Sequence, residues 1–317
     1  MGRGCDWEAS EEGDSQKMQR IHSAQVDAHT LKSFHNAISV PESVDVSLGS
    51  GPEPSAYLVA EEGTPGMNDR DLRTTLRRKL RVDVIEGSNG VCQHARTNRT
   101  ICGAAHGHDG GKHATKCNIG GGVAQRHHDV RDALGEWLTD TGKCPKFEQE
   151  VPRWNTENER ARLDIVLTDH RLGEVFIDVS VVATETSGAG RGVLRSIERR
   201  ERRKHTRYPG RGLVPFVVDV RGKWGKEAHA FVQAMVGSLP KDKRAEAIRV
   251  CRRRIAVALQ TGIANQIHSA GKPAALSADM SYLPGPPLEV IPEDAVMTPA
   301  EAERLSAPGR AASAAGG

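Results

Sequence analysis

The chain has 317 residues, of which 37% are hydrophobic and 4% aromatic, with 33 Gly and 16 Pro. That composition excludes a packed core along the whole length and leaves one domain of ordinary size, a small module and disordered ends. The net charge of +3 is modest, and no 18-residue apolar span is present, which excludes a transmembrane helix. Met1 to Asp6 lacks the apolar run of a secretory signal, and Asp6 stands where a myristoylation signal needs Ser or Thr. An intracellular protein without a membrane partner is expected.

In chain order, residues 1–65 are rich in Ser, Glu, Pro and Gly, with Ser47 to Ser55 the clearest linker, and are expected to be disordered. Asp69 to Val82 places Leu72, Leu76 and Leu80 four residues apart among five arginines and a lysine, which predicts a short basic amphipathic helix. A Cys/His-rich stretch follows and ends at Gly120-Gly121-Gly122, which before a helix could hold a backbone phosphate but matches no nucleotide-binding loop, so that a hinge is the preferred reading. Gln125 to Thr141 is predicted helical, with Val130, Leu134, Trp137 and Leu138 on one face. Phe147–Val151, Leu163–Leu167, Val175–Val182 and Leu213–Val220 read as strands, the second and third joined as a hairpin. Helices are predicted at 191–207, Lys226–Val236 and Arg244–Ile267, and the Ala/Pro/Gly/Ser-rich tail from 269 to 317 is expected to be disordered. The resulting division is 1–65, a helix and metal module at 66–122, an α/β domain with a mixed sheet at 123–268, and the tail.

Two stretches are strongly basic. Arg191 to Arg207 holds eight Lys/Arg against two Glu, and Lys241 to Arg254 seven against two acids. Such clusters suit a polyanion, although a solvated helix face gives the same pattern. Arg199, Arg200, Arg202, Arg203 and Arg207 are the candidate phosphate contacts, with DNA as the expected partner and RNA left open.

Six cysteines without a secretory signal argue against a disulfide scaffold. Cys92, Cys102, His113 and Cys117 offer four zinc donors in a Gly-rich segment that would hardly order without a metal. His94 could replace Cys92, and His106 or His108 could compete. No adjacent Glu marks an open coordination position, so the expected role of zinc is structural. Alternation along the strands places Asp164 opposite the Leu163, Ile165, Leu167 face, and Asp178 with Ser180 opposite Val175, Ile177 and Val179. Two aspartates meeting across a hairpin suit a Mg²⁺- or Mn²⁺-dependent phosphodiesterase. Glu148 or Glu150, and Asp129, Asp132 or Glu136, are open as a further ligand.

With these residues assembled, the sequence resembles the C-terminal region of non-LTR (LINE-like) retrotransposon polyproteins. There a zinc-knuckle-type module precedes a restriction-endonuclease-like nuclease of the PD-(D/E)XK class. The resemblance runs from about Leu72 to Ile267. It is carried by Cys102-Gly103, Asp109 to Cys117, Arg126-His127-His128-Asp129, Arg162 to Ile165, Phe176 to Ser180, and Lys204-x3-Tyr208 ahead of Val214 to Val217. It implies that Asp164 and Asp178 are the acids, that Arg126 opens the helix facing the nucleic acid, and that the work is done in the nucleus. Leu163 replaces the expected proline, and Ser180 stands where the wider superfamily has its lysine. The resemblance places that lysine on the following helix, at Lys204. No Tyr-x-Asp-Asp polymerase motif occurs, so a tail fragment, a decayed copy or a stand-alone derivative is expected. The function expected is a DNA endonuclease that nicks a target strand, with Asp164 and Asp178 on the metal, Glu150 assisting and Lys204 at the water. The alternative is a catalytically inactive nucleic-acid-binding module or transposon remnant.

Overall fold

The computed structural model describes residues 49–59, 66–80, 90–96, 100–105, 111–183 and 191–271, together with 29, 32, 33, 64 and 84. All of these fall within the unit Met1–Ala275. Most of the expected disordered N-terminal region, the tail beyond Gly271, and His106 and His108 lie outside the described residues.

The described helices are α1 (Asp69–Lys79), α2 (Lys112–Lys116), α3 (Gly122–Asp140), α4 (Arg191–Arg207), α5 (Lys226–Val236) and α6 (Lys241–Gly271). The strands are β1 (Lys146–Glu150), β2 (Arg162–Asp169), β3 (Gly173–Val182) and β4 (Leu213–Asp219), in the order β1-β2-β3-β4. The first two pairings are antiparallel and the third is parallel, with α4 as its crossover. The protein is therefore mixed α/β around a four-stranded mixed sheet. Among the described residues, no helix is long and apolar enough to cross a membrane.

One face of the sheet carries the main core. Ile165, Leu167, Ile177, Val179, Phe216 and Val218 pack there against Val130, Leu134 and Trp137 of α3, Phe231 and Met235 of α5, and Ile255, Leu259 and Ile263 of α6. The opposite face is covered by α4 through Ile197, which meets Val182 and Val217, and by Trp154 and Tyr208, which meet Phe176 and Leu213. Helix α3 forms because Val130, Leu134, Trp137 and Leu138 recur on one side. It stops where Gly142, at φ +80°, turns the chain back and Lys143 N–H reaches the Leu138 carbonyl at 2.9 Å.

Helix α6 is the longest element. Its 31 residues span about 46 Å, and the stripe Cys251, Ile255, Leu259, Ile263, Ile267 is buried throughout. The C-terminal end of this stripe shares one cluster with Cys92, Ala114 and Cys117, so the Cys/His segment is packed onto the α/β core. The near side of α6 holds residues 53–59, part of the region 1–65 expected to be disordered. Ala56 and Tyr57 are buried against Ala256 and Val257, and Arg253 Nη1 donates to the carbonyls of Ala56, Tyr57 and Val59. Glu53 lies 3.1 Å from Arg252, and Asp140 lies 2.5 Å from Arg254. The basic run 241–254 thus spends three of its arginines on internal contacts. Helix α1 also differs from expectation, because it buries Asp71, Thr74 and Thr75 while Leu80 is exposed. Thr74 Oγ1 sits 2.8 Å from His268 Nε2, and His268 Nδ1 is 3.5 Å from Asp71. Asp71 and Thr74 thus add polar contacts to the docking of this helix, and of the leucine row Leu72 packs beside Ala256 and Val257.

The β2–β3 turn is held by Asp169, which accepts from Arg171 N–H at 2.9 Å and from Lys143 Nζ at 2.7 Å. The Lys143 hydrogen bond leads in drawing this fully buried carboxyl down to about 2, helped by the backbone donors and against the cost of burial. A depressed folded-state value adds stability that is present above about pH 4 and lost as pH falls through about 2. Asp169→Asn should therefore lower stability near neutrality by about 2 kcal/mol and flatten its decline below pH 4, as read by urea unfolding across that range.

Candidate functional site

Cys92 and Cys102 lie on the two arms of a short hairpin, tied by Cys92 N–H to Ala104 O and Cys102 N–H to His94 O, both 2.8 Å. Gly103, at φ +66°, allows the backbone to turn beside the second thiol. Helix α2, absent from the predicted elements, carries His113 and runs into Cys117, so two donors four positions apart share one side. The donor atoms of Cys92, Cys102, His113 and Cys117 all lie within 4.8 Å of one another. Cys92 Sγ is 3.9 Å from Cys117 Sγ, and Cys102 Sγ is 3.4 Å from His113 Nε2. Metal–sulfur bonds of about 2.3 Å in a tetrahedron require donor separations of about 3.8 Å, so this set can hold a metal ion. Burial pushes the Cys117 thiol up to about 12, an effect the other two thiols reinforce. A cation among them reverses that preference. His94 is not part of the set, because its Nε2 lies 2.8 Å from Ser269 Oγ on α6.

The second constellation is the acidic one. The β2–β3 ladder runs from Asp169↔Gly173 to Ile165↔Ile177 and then gives way. Beyond that point Asp164 Oδ2 accepts the Val179 N–H at 2.6 Å, so a side chain takes the place of the backbone partner. The alternation breaks here too. Ile165 and Leu167 face the main core, but Leu163 packs with Phe176 on the other side. Asp178 is adjacent to Asp164, and Lys204, in the last turn of α4, places Nζ 2.6 Å from Asp178 Oδ2. That oxygen is buried and receives no hydrogen bond of good geometry despite the short ion pair. Burial pushes the Asp178 carboxyl up, with the Asp164 charge adding to the effect and Lys204 opposing it. For Asp164 burial acts in the same direction, yet the hydrogen bond from His127 and the nearby Lys204 bring it below the ordinary range. Tyr208, one turn beyond Lys204, is pushed up to about 12 by burial and then by Asp178.

Glu150 does not join the pair. It is exposed at the sheet edge, 2.8 Å from Asn155 Nδ2 and 3.4 Å from Arg160. Glu148, at φ +52°, is bound by Arg131. The residue that does reach the pair, and that strand alternation could not place there, is His127, whose Nε2 lies 2.9 Å from Asp164 Oδ1. The run Arg126-His127-His128-Asp129 was its only signal in the sequence.

Arg126 requires a correction. It is fully buried, with Nη1 donating to Thr115 O at 3.0 Å and Gln266 Oε1 at 2.8 Å, so it cannot touch a nucleic acid. Its position one turn into α3 points it at α6 rather than at solvent. Arg199, Arg202 and Arg203 are exposed on α4, Arg200 is half-buried, and Arg207 pairs with Glu159. No protein-family model matches the chain, and no curated protein matches it in sequence.

Because two of the four donors are buried in the shared core, the metal set should matter to the whole fold. Cys102→Ser and His113→Ala should each lower bound metal below one ion per chain and lower the melting temperature. Elemental analysis and thermal unfolding, with and without a chelator, test this; equal melting in chelator would separate the cluster from folding.

Proposed function

We propose that the chain is a zinc-bearing, Mg²⁺- or Mn²⁺-dependent DNA endonuclease of the restriction-endonuclease-like class, of the kind found at the end of non-LTR retrotransposon polyproteins, acting in the nucleus. The observation that carries this reading is the convergence of Asp164, Asp178 and Lys204 from β2, β3 and α4, with Lys204 2.6 Å from Asp178. Buried carboxylates next to one another repel, and they are better tolerated together when cations share the site. Two carboxylates also suit Mg²⁺, which keeps several waters and takes its remaining ligands from phosphate. When bound, the ion would neutralise charge on the scissile phosphate. Asp164 and Asp178 would hold it, which requires Asp164 to part from His127 and Lys204 to part from Asp178. Lys204 then orients the attacking water. Water oxygen bonds to phosphorus, the bond from phosphorus to the leaving sugar oxygen breaks, the water's proton passes to solvent, and the sugar oxygen takes one back.

Three thiols and one imidazole at tetrahedral spacing favour zinc among the available ions. Its role in this reading is structural, since all four positions are taken by protein. The exposed arginines of α4 supply attraction to the phosphate backbone.

The alternative is a nucleic-acid-binding module without catalysis, or a transposon remnant. It is favoured by one observation: both Asp164 oxygens are already engaged, by His127 and by Val179 N–H, while Lys204 is held on Asp178.

Nicking of supercoiled plasmid in Mg²⁺ or Mn²⁺ decides between them. Asp178→Asn should abolish nicking while leaving DNA affinity equal or slightly higher, and Lys204→Ala should slow nicking at least tenfold. A wild-type chain that never nicks would establish the inactive module. Replacing Arg199, Arg200, Arg202 and Arg203 by Gln together should flatten the slope of log affinity against log salt by up to about 4. An unchanged slope would assign them to a solvated face.

A further inference from the structure

The start of α3 combines three features that call for an anion. Its N-cap, Gly121, has φ +72° and offers no side-chain cap, and the first turn contains no acid. The N–H groups of that turn therefore have no partner within the helix, and the positive end of the helix dipole is uncompensated. Gly120 and Gly121 are exposed, and a Cβ on Gly121 would meet nothing within 4 Å, so the approach is open.

The second feature is Gln266 of α6. Its side chain lies against the first residue of α3: a Cβ on Gly122 would stand 2.6 Å from Cγ and 3.2 Å from Nε2. Arg126 can only donate, so the Gln266 atom that it meets at 2.8 Å must be Oε1. That fixes the amide the other way round at its far end and turns Nε2 toward Gly122. Gln266 is 2% exposed, and its Nε2 has no hydrogen-bond partner. A buried donor without an acceptor is costly and calls for an explanation. The third feature is Arg126 itself, a buried cation whose two acceptors are an amide oxygen and a backbone carbonyl rather than a carboxylate.

We infer that the N-terminus of α3, with Gln266 Nε2 and the buried charge of Arg126 behind it, binds a phosphate group, supplied by the backbone of a nucleic acid strand. Gly122 lies five residues, about 7.5 Å along the helix, from His127, the partner of Asp164. A DNA strand carries one phosphate per about 3.4 Å of axis. A strand presented to Asp164 and Asp178 therefore has another phosphate close to this helix end. The choice of nucleic acid over free phosphate rests on the endonuclease reading; the anion site does not.

The test uses the full zinc-loaded chain and two probes, inorganic phosphate and a short DNA duplex without divalent ions. Phosphate should shift the backbone amide resonances of Gly121 to Ala124. Gln266→Glu places a carboxylate beside Arg126, so its melting temperature should not fall, yet the phosphate shifts should vanish. Gly121→Asp, which puts a negative charge at the helix start, should also remove them and lower the salt slope of DNA binding by about 1 relative to Gly121→Asn, which carries the same backbone strain at φ +72° without the charge. No phosphate response in the wild type would overturn the site and leave Gln266 to water. A phosphate response with an unchanged DNA slope in Gly121→Asp would overturn the nucleic acid as its source. A chain that nicks DNA without any phosphate response loses this site and keeps the endonuclease reading. A chain that never nicks, yet binds phosphate and DNA through Gly121, does the reverse.

Discussion

Burial of the Cys251 to Ile267 stripe of α6 is the contact on which the other parts depend. A single apolar seam on this helix closes the sheet core at one end and covers Cys92 and Cys117 at the other. The same helix presents Ala256 and Val257 to the Ala56–Tyr57 segment and His268 to α1. Each of these pieces is too small or too polar to bury its own surface. Packed on one helix, they share a core in which Cys92 and Cys117 are buried.

Buried charge is handled in three ways, and the differences mark which groups are structural. Asp169 is satisfied completely, by two backbone donors and Lys143, and behaves as a turn lock. Asp178 is close to Lys204 but keeps an oxygen without a well-formed hydrogen bond, beside a second carboxylate. Such an arrangement costs stability, which sets the acidic pair apart from the fully satisfied Asp169. Arg126 has neutral acceptors only, and the helix start above it shares the resulting positive potential.

The two basic runs look alike as composition and part company in space. Arg252, Arg253 and Arg254 reach Glu53, the 56–59 carbonyls and Asp140, so their charge is spent inside the protein. On α4 the inward positions are Ile197, Glu201 and Lys204, followed by Tyr208 just past its end, which leaves Arg199, Arg202 and Arg203 facing solvent. Glu201 turns inward to accept the Glu227 N–H at the start of α5, fixing the rotation of α4 that carries Lys204 to Asp178.

The sequence by itself determined the mixed α/β class, the four strands, the long helices, a Cys/His set in which His94, His106 and His108 were still open, and Asp164 and Asp178 as neighbours on β2 and β3, although the alternation assumed for Leu163 fails. All of these follow from local periodicity or from the spacing of rare donor residues. Only the tertiary structure decided the rest. Arg126 is buried because α6 passes over it, and no local pattern distinguishes that arginine from its exposed neighbours on α4. Glu150 is drawn to Asn155 and Arg160, whereas His127 reaches Asp164 across 37 positions of sequence. Helix α1 meets His268 through Asp71 and Thr74, a polar contact that its leucine spacing could not foretell, while Leu72 packs as that spacing implies. Periodicity fixes which residues share a face, but the partner that face meets is set by distant parts of the chain, and burial of polar groups is decided by those partners.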